Sequence, residues 1–225
     1  TDNIICVHNG IDFNRFSRAS IPPERRAELR EEWHCDDATV VIGCAARLVP
    51  DKGLDVLLHA VARAHTVYPA LRLVIAGEGE LQPQLERLTA QLDLTAVVQF
   101  LGWREDVPTL MTGFDMFCLP TLREGFGYVF LEAQAMGVPV VATAIEPLTE
   151  TMRAGITAVL VPPNDVERLA DELARLARNP EERHRLAVNA EKHVRAHFDQ
   201  EQQLQQLAAV YRGCVTHYGP GAHTG

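Results

Sequence analysis

Residues 115–143, DMFCLPTLREGFGYVFLEAQAMGVPVVAT, read in turn as strand, loop, helix and strand. The apolar run 115–119 predicts one strand. Val138–Ala142 predicts another, introduced by Pro139, which suits a strand's first residue. Between them Gly125-Phe126-Gly127 opens a helix over Tyr128–Met136. Phe130, Leu131, Ala133, Ala135 and Met136 make that helix mostly buried. Glu124 stands just before it. Glu132 lies five residues on from Gly127, about 7.5 Å along the axis, and its side chain leans back towards the helix start.

The same alternation extends outward. Upstream, 39–46 (TVVIGCAA) reads as a strand buried on both faces, followed by a loop Arg47–Gly53. Leu54, Leu57, Leu58 and Val61 then set a helix to about Tyr68. Leu71–Ala76 is a strand, Gly77-Glu78-Gly79 a turn, and Leu81, Leu85, Leu88 and Leu92 mark a helix. Val97–Leu101 is a strand closed by Gly102-Trp103-Arg104, and a short helix follows near 106–112. Downstream, Ile156–Val161 is the last strand. Val166, Leu169, Leu173 and Leu176 give a helix, and Asn179-Pro180-Glu181-Glu182 starts another with a cap, a proline and acids. Residues 1–16 read as a short strand and an Asn9-Gly10 turn, and 17–38 as a solvated surface helix. The fold class that follows is α/β: a Rossmann-like, doubly wound parallel sheet of about six strands, with C-terminal helices. The expected division is 1–38 as an entry segment with a surface helix, 39–198 as the sheet domain, 199–213 as a crossing helix and 214–225 as a disordered tail.

The net charge of −9 argues against nucleic-acid binding, which needs a basic face. Cys6, Cys35, Cys44, Cys118 and Cys214 show no C-x-x-C spacing and read as small buried hydrophobes of a reducing compartment. No apolar run approaches the ~18 residues of a membrane span, and no basic n-region marks a signal peptide. The expected location is the cytoplasm.

Ligands of such sheets sit beyond the carboxyl ends of the strands. That selects the loops Arg47–Gly53, Gly77–Gly79, Gly102–Arg104, Pro120–Gly127 and Thr143–Glu150. Free amides at a helix start favour an anion, so Gly125-Phe126-Gly127 is either a phosphate cradle or merely a tight turn. A carboxylate in an apolar helix needs partners. For Glu132 these are sugar hydroxyls or an internal ion pair, unless it sits at the helix edge; Glu124 is a hydroxyl ligand or a solvated loop acid. Arg47 and Lys52 are either placed to neutralise a diphosphate or ordinary solvated surface cations. A dinucleotide site fails because Gln82 stands where a third glycine is needed, and no Walker sequence occurs. His193 and His197, four apart, read as a surface pair and not a metal site.

These residues resemble the C-terminal, donor-binding domain of retaining glycosyltransferases of the GT-B fold, glycosyltransferase family 4 (group 1). The resemblance covers about residues 3–212. It rests on Asn9-Gly10-Ile11-Asp12 with Phe16, Arg47-Leu48 with Lys52-Gly53, Gly77-Glu78-Gly79, Gly102, Glu124-Gly-Phe-Gly with Glu132, and Gly137-x-Pro139-Val-Val-Ala142. It implies Glu124 on the donor sugar, Glu132 on the ribose and Arg47 and Lys52 on the diphosphate. It further implies amides of the Gly125, Phe126 and Gly127 turn on phosphate or sugar, with Gly77 beside them, and Trp103 and Arg104 near the base. The substrate would be a UDP-sugar or GDP-sugar, with no cofactor and no obligate metal. The acceptor, a glycan, lipid or other hydroxyl, would belong to an N-terminal domain outside this chain, and the full enzyme would be cytoplasmic or membrane-peripheral. A non-catalytic nucleotide-sugar module and a GT-B sugar-nucleotide epimerase are the alternatives. The chain departs from the family at Glu146-Pro147, where a Gly-Gly pair is usual. Glycines let backbone approach a sugar, and Pro147 removes a donor.

Overall fold

The computed structural model describes residues 4–218. Six strands form the sheet: β1 (Val40–Ala45), β2 (Leu71–Ala76), β3 (Val98–Gly102), β4 (Met116–Leu119), β5 (Val140–Thr143) and β6 (Ala158–Val161). Their order is β3-β2-β1-β4-β5-β6 and every pairing is parallel. The expected doubly wound sheet is therefore the observed one. The chain builds outward from β1 through β2 to β3, then returns to β4 on the other side of β1. The topological switch point lies between β1 and β4, and a crevice opens at the carboxyl ends of these two strands.

Helices α1 (Glu24–Glu32), α2 (Leu54–Val67), α3 (Gln82–Gln91), α4 (Val107–Gly113), α5 (Tyr128–Ala135), α6 (Leu148–Thr151), α7 (Val166–Arg178), α8 (Pro180–His197) and α9 (Gln200–Tyr218) accompany the sheet, with short 3-10 turns at Arg18–Ser20 and Pro50–Lys52. Covered on both faces, the strands are apolar at nearly every position, and Val41, Ile42, Val74, Ile75, Phe117 and Val141 are fully buried. At Gly43 a side chain would meet the Phe114 ring at 2.0 Å, so the glycine lets that ring lie directly on β1. α5 packs against both the sheet and α8, which accounts for its apolar composition all round. Asn179 caps α8 as its sequence suggests: its side chain accepts from the Glu182 amide at 2.9 Å, with Pro180 in the first turn.

Several expectations are corrected. Residues 4–10 form no strand, and Ile11 makes only an isolated bridge to Asp199. The segment has no neighbouring strand and pairs instead with the α8–α9 junction, where the Ile11 amide donates to the Phe198 carbonyl at 2.7 Å. The helix expected as solvated is anchored. Leu29 and Trp33 are buried, α1 packs on α4, and Trp33 stacks on Phe114 with centroids 5.6 Å apart. Asp115 ties the same helix to the sheet, taking Arg26 at 2.7 Å, Arg30 at 3.0 Å and the Val41 amide at 2.8 Å. Pro139 lies just before β5, not within it, because it has no amide to give the ladder. Cys44 and Cys118 are buried, and burial pushes the Cys44 thiol up to about 12. Cys6 and Cys214, in contrast, are exposed and Cys35 is half-buried. α9 continues to Tyr218, so the first part of the expected tail is helical, and residues 219–225 lie outside the described residues.

Candidate functional site

The loops after β1 and β4 are stitched together across the switch point. The Thr121 hydroxyl and the Leu122 amide both donate to the Asp51 carbonyl, at 2.9 and 2.7 Å. Gly53, with φ of 61°, passes so close to Pro120 that a Cβ would lie 2.3 Å from its carbonyl oxygen. This stitching places Lys52 beside Glu124. Lys52 Nζ donates to Glu124 Oε2 at 2.8 Å, with only 16% and 17% of the two side chains exposed. The other oxygen of Glu124 accepts from the Gly125 amide at 3.1 Å. Two residues 72 apart in sequence thus form one charged unit at the mouth of the crevice.

Gly127 precedes α5 in a left-handed conformation, φ 87°, and a side chain there would meet Leu148 at 2.6 Å. Around Gly125 a Cβ would find nothing within 4 Å. Internal packing accounts for Gly127 and not for Gly125, whose open side lets another molecule reach the backbone. The amides of Phe126, Gly127 and Tyr128 have no hydrogen-bond partner among the described residues. At a helix start they carry the partial positive charge that attracts an anion.

Next to this turn lies a cavity of about 470 Å³, lined by Arg15, Arg47, Gly77, Glu78, Trp103, Arg104 and Glu132 among others. The size and the mixed apolar and polar wall suit a small organic ligand. At Gly77, with φ of 135°, a Cβ would lie 1.9 Å from the Ala46 carbonyl oxygen, so this close approach of two wall segments requires a glycine. Trp103 presents a 66% exposed ring at the rim. Arg47 is exposed and makes no ion pair among the described residues. Glu132 is half-buried and no side chain of the described residues pairs with it. Burial raises its carboxyl above the ordinary glutamate value, and the nearby Arg15 guanidinium partly offsets this. The ionised form is thus disfavoured in the folded chain. Stability from this group is present below the ordinary glutamate value and is lost as pH rises through the raised one. Glu132→Gln is therefore expected to raise Tm at neutral pH by about 1–3 °C and not at pH 4; paired thermal melts check this.

The cavity gathers Arg47, Gly77, Trp103, Arg104 and Glu132 from the expected set. Lys52, Glu124, Gly125, Phe126 and Gly127 do not line it and lie in the loops after β1 and β4. Arg104 is committed internally: its Nε and Nη2 donate to the two oxygens of Asp106, both at 2.7 Å, and Glu32 lies 3.6 Å away. Its guanidinium is thus paired within the chain while the side chain lines the cavity. Sequence reasoning missed Arg15. The Asp12 side chain accepts from the Asn14 amide at 2.9 Å, and its carbonyl accepts from the Phe16 amide. That turn buries Phe16 and aims Arg15 at the cavity; an Asp placed to form such a turn was the available signal. Among the described residues no group of three His, Cys, Asp or Glu side chains is arranged to hold a metal, and no helix is long and apolar enough to cross a membrane.

A family model described as "Glycosyl transferases group 1" matches residues 25–193. The chain is 33% identical over 211 residues to a GDP-mannose-dependent monoacylated alpha-(1-6)-phosphatidylinositol monomannoside mannosyltransferase of Corynebacterium glutamicum, covering 90% of this chain and 54% of that one. It superposes on the structure of Anabaena Alr3699/HepE in complex with UDP and glucose with a TM-score of 0.82 and 27% identity, over 92% of this chain and 56% of that one. The C-terminal domain of a group 1 glycosyl transferase family protein from Francisella tularensis shares the fold, with a TM-score of 0.74 at 24% identity. There the match covers 84% of this chain and 99% of that one. The chain spans about half the length of the curated relatives it matches.

Proposed function

The chain belongs to the group 1 glycosyl transferases, and from this we propose that it is the donor-binding, C-terminal half of a retaining glycosyltransferase, moving a hexose or N-acetylhexosamine from a nucleotide sugar to a hydroxyl acceptor. One observation carries the reading: the Lys52–Glu124 pair and the unpartnered Glu132 flank the same switch-point crevice. In it the diphosphate lies between Arg47, Lys52 and the amides of the Gly125–Gly127 turn. The ribose hydroxyls donate to Glu132 and the nucleobase rests against Trp103. Glu124 accepts from hydroxyls of the transferred sugar. As the glycosidic bond breaks, negative charge grows on the leaving phosphate, and Lys52 and Arg47 are cations fixed where it grows. Retention follows if the acceptor attacks from the leaving-group face, with the phosphate oxygen taking its proton.

The acceptor site is assigned to an N-terminal domain outside this chain. Leu204, Leu207 and Tyr211 on α9 support that assignment, since all are exposed, Tyr211 by 65%. The division proposed is an entry segment (1–38), the nucleotide-sugar domain (39–198), a helix crossing to the partner domain (199–213) and a tail (214–225). A second reading, a binding module without turnover, draws on one observation. Pro147 precedes α6 where the family's glycines would offer an amide to the sugar.

Calorimetric titration of the chain with UDP, GDP and ADP tests the proposal. One nucleotide is expected to bind in the micromolar to millimolar range, about −4 to −8 kcal/mol, and Glu132→Gln to weaken it about tenfold. Binding of none of the three would overturn the reading. Donor turnover by this chain alone would overturn the assignment of the acceptor site elsewhere.

A further inference from the structure

At the amino ends of the strands, opposite the nucleotide-sugar cavity, lies a second cleft of about 670 Å³. Arg26, Arg30, Arg178 and Arg183 line it, against Asp37 and Asp115. In a chain of net charge −9 this is a local reversal of sign. Asp115 is fully occupied by Arg26, Arg30 and the Val41 amide. Arg178 and Arg183 reach only carbonyls. Arg178 Nη2 donates to Val67 at 2.7 Å, and Arg183 Nη1 donates to Leu176 at 2.5 Å and Ala177 at 2.9 Å. These carbonyls sit at the ends of α2 and α7 and carry part of a negative charge, which compensates the guanidinium groups incompletely. Nε and Nη1 of Arg178 and Nε and Nη2 of Arg183 have no partner among the described residues. Arg183 is half-buried, and burial lowers it from its ordinary value while the Asp115 charge offsets this only in part.

We propose that this cleft is a second anion site, taking a phosphate or diphosphate group on the forks of Arg178 and Arg183. Two guanidinium groups with spare donors match a multiply charged anion better than a single carboxylate. The site is independent of the nucleotide-sugar reading. It would serve either a soluble phosphate ester or a phosphate on a lipid headgroup.

Inorganic pyrophosphate is the probe, titrated into the Lys52→Ala protein so that the crevice at the strands' carboxyl ends is weakened. One site is expected to persist. Arg178→Gln, at an exposed position, should weaken it about tenfold or more with an unchanged melting curve, and Arg183→Gln at least as much. Sedimentation with vesicles separates the two sources. Capture by phosphatidic acid but not phosphatidylcholine, lost in Arg178→Gln, assigns a lipid headgroup. Pyrophosphate binding without capture assigns a soluble ligand. Binding of neither, or binding unchanged in Arg178→Gln, would overturn the proposal. UDP binding by the wild type is a separate result and does not bear on it.

Discussion

Lys52→Ala is expected to weaken nucleoside diphosphate binding about a hundredfold, which is ~3 kcal/mol. A charge-assisted hydrogen bond to phosphate supplies ~1.5–3 kcal/mol of this. The rest comes from Glu124. In the protein Lys52 Nζ neutralises Glu124 at 2.8 Å, and without it the carboxylate faces the incoming phosphate uncompensated. The same substitution should lower stability by ~1–3 kcal/mol. That is less than the loss of a fully buried pair, because 16% and 17% of the two side chains reach solvent. Removing both partners, Lys52→Ala with Glu124→Ala, should recover part of the affinity and most of the stability. Calorimetry and thermal melts on the three variants check the coupling. Unchanged affinity in Lys52→Ala would remove the lysine from the diphosphate site.

Trp33→Ala is expected to destabilise the chain by ~3–5 kcal/mol. Trp33 is fully buried and stacks on Phe114, which in turn lies on β1. A side chain added at Gly113 would meet its ring at 2.5 Å, so the contact with α4 is close-packed and no neighbour stands ready to fill the space. Trp33→Phe should cost much less. It keeps the stack and removes an indole Nε1–H that is buried without an acceptor. Chemical denaturation distinguishes the two. A Trp33→Ala loss under ~1 kcal/mol would mean that α1 is peripheral, as its charged sequence suggests.

That helix shows where the sequence misleads. Its large apolar side chains are Leu29 and, just past its end, Trp33, set among arginines and glutamates, and periodicity has little to register. What anchors it is Asp115, 85 residues from Arg30, and no local pattern contains that pairing. The strands are the opposite case. Residues 71–76 form β2 over the span their apolar run marks, because a strand buried on both faces must be apolar at nearly every position. The site was legible in kind and not in arrangement. Glu124, Arg47 and Lys52 stand out as charges in strand-end loops and Glu132 as an acid in an apolar helix, but how they meet depends on β1 lying beside β4, and strand order is not written locally. Arg104, expected near the base, is held by Asp106 two residues on. Arg15 carries no local signal of its own, yet a turn set by Asp12 brings it to the cavity.

A crystal structure of the chain soaked with UDP tests the central claim most directly. The diphosphate is expected within hydrogen-bond distance of Lys52 Nζ and the amides of the Gly125–Gly127 turn, with the ribose hydroxyls on the Glu132 carboxylate. UDP bound away from Lys52 and Glu132, in the arginine cleft or along the helices, would contradict it.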